Sequence, residues 1–321
     1  MKHLPKISSQ IDEKLIHDVV KKNYATIAPF YFTLVSNWFV RAYKHYKDID
    51  KFIIVIYLIN KHLIFYRKNG LNIDYDTFYK DKTIEIEKIK ILDISKDLQI
   101  PKETLRRKVL ELEKKGVIKK IGKKIFIDRS TFHAAKARNT LSELSILLNE
   151  FNKLLKKEKL VNDIYDQNEI TKSIKENFSF CWYQFNKFWF TFTNRWRSEV
   201  GDLETTCIGF ILVINAVKNK KFKPKDSSIQ TYGKSIMGSD DKGVNAMSIS
   251  DITGIPRPTV VRKLKYLIDN KYLHINEKKL ISFNIKGFAS KKTAELRDKN
   301  ALSLSNFFFR VFNQIKIINS N

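Results

Sequence analysis

Arg257, Thr259, Val261 and Arg262 stand directly after the break Gly254-Ile255-Pro256. On a helix this run offers two guanidinium forks, a hydroxyl and a branched apolar group. A guanidinium can donate two parallel N–H bonds to a planar acceptor pair such as guanine O6 and N7. Threonine can bond a phosphate or touch a thymine methyl, and valine favours the methyl. These groups are useful together only if the surrounding elements aim them at one target.

The stretch "ISDITGIPRPTVVRKLKYLIDN" runs from Ile249 to Asn270. A single helix through it would carry Gly254 and Pro256 in its interior, at a cost of roughly 4 kcal/mol in propensity. It therefore reads as two helices joined by a tight turn. Gly254 permits a positive φ there. Pro256 suits a helix start, where its missing N–H is no loss. Ile249 and Ile252 are expected to face the core from the first helix, and Ile255 to plug the turn. Val260, Leu264 and Leu267 follow at helical spacing and should pack inward, which leaves Arg257, Thr259, Val261 and Arg262 on the outer face.

The same pattern occurs earlier in the chain. Shifted by 155 positions, Ile94–Glu113 lies over Ile249–Ile268 with 8 of 20 residues identical, Pro101, Thr104, Arg107 and Lys108 among them. Leu105, Val109 and Leu112 form its inner face, and Lys102, Glu103, Thr104, Arg106 and Arg107 its outer one. The register holds outside the motif too, with "IVIYLIN" ending at Asn60 and "GFILVIN" ending at Asn215. With shifts of 151 and 161, "NWF" at Asn37 falls on "FWF" at Phe188, and "FNKL" at Phe151 on "FNQI" at Phe312. The chain is an internal duplication whose loops have drifted in length.

Each copy opens with an aromatic helix. Ile27, Phe30, Tyr31, Leu34, Trp38 and Ala42 share one face in the first, and Trp182, Phe185, Trp189, Phe192 and Trp196 in the second. These rings read first as a packed interface, with a ligand pocket or a base-stacking surface as alternatives. After the motif, "VIKKIGKKIFID" and "YLHINEKKLISF" alternate around basic turns and predict β-hairpins. Their lysines, Lys119, Lys120, Lys123 and Lys124 in one copy and Lys278 and Lys279 in the other, would lie over a flanking phosphate backbone or minor groove. A last amphipathic helix closes each copy. The boundaries are residues 1–23 for an N-terminal extension, 24–157 for the first repeat, 158–176 for a charged linker and 177–321 for the second repeat. Residues 223–243 read as a loop.

Sixty Lys and Arg against 34 Asp and Glu leave a formal net charge of +26, which points to a polyanionic partner. The two cysteines, Cys181 and Cys207, form no metal or disulfide pattern. The six histidines are scattered, with no phosphate loop or nucleophile motif beside them, so no catalysis, cofactor or metal is expected. The apolar runs are too short to span a membrane, and a cytoplasmic location is expected.

Helix, helix-turn-helix, basic hairpin and closing helix, as laid out in Ile94–Ile118 and Ile249–Leu273, resemble the MarR-type transcription regulators. Two such units in one chain resemble the two-domain Sar-type arrangement. The resemblance implies a mainly α fold with small β-hairpin wings, in which two tandem winged helix-turn-helix units flanked by amphipathic helices form an intrachain pseudo-dimer. It implies recognition of double-stranded DNA by Lys102, Thr104, Arg106 and Arg107 and by Arg257, Thr259, Val261 and Arg262. It also allows a small-molecule effector and a homodimer of chains. The short wing tips "IGKK" and "NEKK" lack the Asp-x-Arg pattern usual in that family. The expected role is a sequence-specific regulator reading an asymmetric bipartite site. A plasmid-type replication initiator and a low-specificity architectural DNA-binding protein are the alternatives.

Overall fold

The structure, a computed structural model, describes residues 8, 10–130, 138–217, 228–237, 244–277, 280–284 and 288–319. Among these, helices dominate and a small antiparallel sheet accompanies each copy of the motif. The first half runs α1 (Glu13–Lys22), α2 (Tyr24–Tyr46), α3 (Ile49–Lys68), α4 (Tyr75–Lys80), β1 (Thr83–Ile86), α5 (Ile91–Leu98), α6 (Lys102–Lys114), β2 (Ile118–Ile121), β3 (Lys124–Asp128) and α7 (Arg138–Lys157). The second runs α8 (Gln167–Glu176), α9 (Phe178–Val200), α10 (Leu203–Val217), α11 (Ile229–Met237), α12 (Ala246–Thr253), α13 (Arg257–Asp269), β4 (Leu273–Ile275), β5 (Ile281–Phe283) and α14 (Phe288–Asn319).

The segments read as an extension and a linker carry counterpart helices. α1 and α8 are 10 residues each, and their caps match. Asp12 accepts from Lys14 N and Leu15 N, as Asp166 does from Asn168 N and Glu169 N. An aspartate in this role satisfies amides that a helix start leaves unpaired. Asn152 accepts from Tyr165 N at 2.7 Å, just before α8, and Asn313 accepts from Ile11 N at 2.9 Å, just before α1. Accordingly α7 packs on α8, and α14 packs back on α1. The chain closes on itself with approximate twofold repetition.

The two halves interleave. α2 packs on α10 of the other half, and α9 packs on α3. α2 and α9 are both 23 residues long and each follows an asparagine, Asn23 or Asn177. This aligns Tyr24 with Phe178 and Trp38 with Phe192, correcting the pairing of Trp38 with Trp189. Trp38 and Trp189 instead meet each other across the interface, ring centroids 4.3 Å apart. Phe39 stacks on Phe210 at 6.3 Å, and Tyr31 meets Phe192 edge-on at 6.2 Å. These rings, with Trp189 and Phe39 fully buried, form the shared core on which both copies of the motif rest.

In the first half β1, β3 and β2 pair in that order, all antiparallel, with Ile84 opposite Ile127 and Ile118 opposite Ile127 on the other edge. The second half keeps β4 paired with β5, and a single bridge from Val244 to Ile281 stands in the place of β1. α11 lies inside the stretch read as a loop, its first turn capped by Ser228, whose Oγ accepts from Thr231 N.

Candidate nucleic-acid interface

The two turns use the same device with different residues. Gly254 takes φ 74° and Gln99, its counterpart, φ 54°. Serine in the preceding helix locks each turn: Ser95 Oγ donates to Ile100 O and Ser250 Oγ to Ile255 O, both at 2.7 Å. A non-glycine residue in this region is strained. Gln99 is held there by Ser198 Oγ, which donates to its Oε1 at 2.7 Å. Pro101 and Pro256 sit at the N-cap positions of α6 and α13 rather than inside the first turn. One expectation fails: Ile252 is 47% exposed, and Thr253 takes the inner position. Thr253 Oγ1 donates to Ile249 O at 2.7 Å and accepts from Ile255 N at 3.1 Å. A threonine that pairs internally can be buried, and this rotates its apolar neighbour outward.

Behind the exposed faces the helices are anchored. Leu105, Val109 and Leu112 are buried on α6, and Val260, Leu264 and Leu267 on α13. Outward stand Lys102, Arg106 and Arg107, and in the other copy Arg257, Val261 and Arg262, with Thr104 and Thr259 half-buried beside them. The copies differ in how free these groups are. Arg106 lies 3.5 Å from Glu103, and Arg107 lies 3.9 Å from Glu111. Arg257 and Arg262 have no ion pair among the described residues. Such exposed pairs contribute little, roughly 0–1 kcal/mol, and a phosphate or base edge can displace them.

In the first hairpin Lys119 pairs with Asp128 at 2.6 Å, Lys120 with Glu113 at 2.7 Å and Lys124 with Glu85 at 3.1 Å. Lys119 and Ser130 hold the Asp128 carboxyl down at about 2. Lys123, at the tip beside Gly122, is exposed with no ion pair among the described residues. Lys278 and Lys279, expected at the second tip, lie outside the described residues.

A buried ionic network, which the sequence reading missed, holds the first exposed face in place. Lys108 sits on the inner side of α6, 8% exposed. It pairs with Asp48 and lies 3.4 Å from Asp50. Asp50 accepts from Arg197 Nη2 of α9 at 2.6 Å. Asn194, one turn earlier on α9, donates to Asp97 O at 2.6 Å. The long helix of the second half thus grips the turn and the inner face of the first. The reciprocal contact is thinner. Among the described residues Lys263 of α13 pairs with Asp202 alone, and Tyr43 occupies the position that mirrors Arg197. Lys108 and Lys263 are identical in both copies and fall on the buried side of their helices, which was the available signal.

Glu204 mirrors Asp50 but forms no ion pair among the described residues. It accepts from Ile49 N at 3.2 Å. Burial, followed by the nearby carboxylates of Asp50, Asp202 and Asp48, pushes its pKa above the ordinary 4.5. Tyr43, Lys108 and Cys207 also face it electrostatically. The folded state therefore binds the Glu204 proton more tightly than the unfolded state does. Its contribution is favourable at low pH and is lost as pH rises from about 4.5 through the folded value. Glu204→Gln is expected to raise the melting temperature at pH 7, with the gain shrinking toward pH 4 in thermal melts across that range. An equal gain at both ends would place the effect elsewhere.

Among the described residues no group of three or more His, Cys, Asp or Glu is arranged to hold a metal ion, and no helix is long and apolar enough to cross a membrane. Both cysteines are buried, and burial pushes the Cys181 thiol up to about 12, far from a nucleophilic thiolate at neutral pH. Comparison with family models, curated proteins and solved structures found no match.

Proposed function

We propose that the protein is a sequence-specific regulator that binds double-stranded DNA through two winged helix-turn-helix units of the MarR type. α6 and α13 act as its recognition helices. The observation that carries this reading is the paired face: two helices, each behind the same locked turn and each buried along its back, present Lys102, Arg106 and Arg107 or Arg257, Val261 and Arg262 to solvent. A chain of net charge +26 supplies the long-range attraction that concentrates such faces on a polyanion. Lys123 fits a phosphate contact beside the groove.

The faces are not equivalent. Glu103 and Arg106 in one stand where Pro258 and Val261 stand in the other. Val261 favours a thymine methyl, and Arg106 a guanine. The reading therefore includes a bipartite site with unequal halves, about one helical turn apart. Anisotropy titration of labelled duplex, repeated in rising salt, tests the binding itself. Saturable duplex binding that weakens steeply with salt is expected. No binding at about 100 mM salt, below the range in which such proteins normally act, overturns the reading.

A further inference from the structure

One strand position in the first hairpin breaks the pattern of its sheet. Ile118 and Lys120 stand on the core-facing side of β2, opposite the buried Ile127 and Ile125. Successive side chains of a strand alternate, so Lys119 and Ile121 point the other way. Ile121 lies opposite Lys124 and is 64% exposed. The solvated face of an antiparallel sheet ordinarily carries polar residues, and an isoleucine there gains by being covered.

The hairpin holds this side chain out. It turns through two residues, Gly122 and Lys123, with Gly122 at φ 58°, and an added Cβ on Gly122 would meet nothing within 4 Å. The strands behind the turn are braced. β1 extends the sheet beyond β3, and Lys119, Lys120 and Lys124 pair with Asp128, Glu113 and Glu85. Glu113 belongs to α6, so its pair ties the hairpin to that helix.

The second hairpin lacks the feature. At the shift of 155 positions that relates the motifs, Ile121 falls on Asn276. Asn276 Oδ1 accepts from Leu280 N at 2.8 Å, and Asn276 N donates to Leu280 O at 2.9 Å, which closes that turn. The exposed Ile275 stands on the core-facing side with Leu273, opposite Ile281. A single bridge replaces β1. Only the first copy therefore combines a braced hairpin with an apolar group on its outer face at the tip.

We propose that Ile121 is a wedge that enters the minor groove beside α6, parts a base step and bends the duplex. With α6 in a major groove, which admits a helix, the hairpin that follows it through Lys115, Gly116 and Val117 meets the narrower groove alongside. Stacked bases are the apolar interior of a duplex. An aliphatic side chain inserted between them unstacks the step and kinks the duplex toward its major groove, here onto α6. The Lys123 ammonium meets the phosphates at the mouth of the groove. Thymine–adenine steps unstack most easily and are the expected targets. The kink falls in the half of the site under α6. The inference rests on the duplex binding proposed above and adds deformability to what the first half reads.

A short duplex whose centre alternates thymine and adenine tests it, with end labels for energy transfer and 2-aminopurine in place of the central adenines. When the full chain binds at low salt, the ends are expected to approach, as for a bend of at least about 20°, and 2-aminopurine fluorescence to rise about twofold or more as bases unstack. Ile121→Leu should keep both signals. Ile121→Thr, which suits an exposed strand position, should melt like the wild type, bind several-fold more weakly and give neither signal at saturation. A wild-type complex with a straight duplex and unchanged fluorescence, or a bend retained in Ile121→Thr, would overturn the wedge and leave duplex binding standing. Absence of any duplex binding would overturn the proposed function and the wedge with it.

Discussion

Asp50→Ala is expected to destabilise the folded chain by about 3–5 kcal/mol, the cost of leaving buried charge without its counter-ion. Asp50 is 9% exposed and lies between Arg197 Nη2 at 2.6 Å and Lys108 Nζ at 3.4 Å. Removing it strips the carboxylate from a buried guanidinium and leaves Lys108 with Asp48 as its one ion pair among the described residues. The loss falls across the halves, because Arg197 belongs to α9 while Lys108 and Asp50 belong to α6 and α3. Equilibrium denaturation measures it. Lys263→Ala should cost less, since Lys263 is half-buried and among the described residues pairs with Asp202 only. A change of under about 1 kcal/mol for Asp50→Ala would mean that Arg197 and Lys108 regain solvent or other carboxylate partners once Asp50 is gone, so that Asp50 is not what holds α6 against α9.

Arg262→Ala is expected to weaken binding to the best duplex by about 1–3 kcal/mol, and Arg107→Ala by a similar amount, if each guanidinium reads a base. The two should relax specificity in different halves of the site. Arg262 begins without an ion pair among the described residues, whereas Arg107 must first leave Glu111, 3.9 Å away. The second half therefore enters the complex with less to rearrange. Lys123→Ala serves as the contrast. Without that ammonium beside the phosphates, all duplexes should bind more weakly to the same degree, and the salt slope should fall by about one. Equal weakening on every sequence for Arg262→Ala would reassign it to the backbone.

Local signals explain what the sequence disclosed. Gly254, Pro101 and Pro256 mark the two breaks, and the spacing of Leu105, Val109 and Leu112 and of Val260, Leu264 and Leu267 gives the buried faces. Duplication made each half a check on the other. The misses have physical causes as well. Ile252 looked inward by periodicity, but Thr253 satisfies its own hydroxyl and takes the place. α1 and α8 are short and highly charged, so they read as an extension and a linker until Asn313 and Asn152 are seen to pin the residues ahead of them. β1 is four residues long, and its pairing with β3 joins positions far apart in the chain. The ionic network joins Lys108 to Asp48, 60 positions away, and Arg197 to Asp50, 147 positions away, and no window along a sequence connects them.

If α6 and α13 each read part of one duplex, they must read it differently, because their outer faces differ at Glu103 and Pro258 and at Arg106 and Val261. Selection from a random duplex library at about 150 mM salt, where non-specific phosphate binding is damped, puts this to the test. One enriched site with two unequal halves is expected, guanine-bearing under α6 and thymine-bearing opposite Val261. Salt-dependent binding with no enriched sequence would contradict the proposed function and leave a basic protein that holds DNA without reading it.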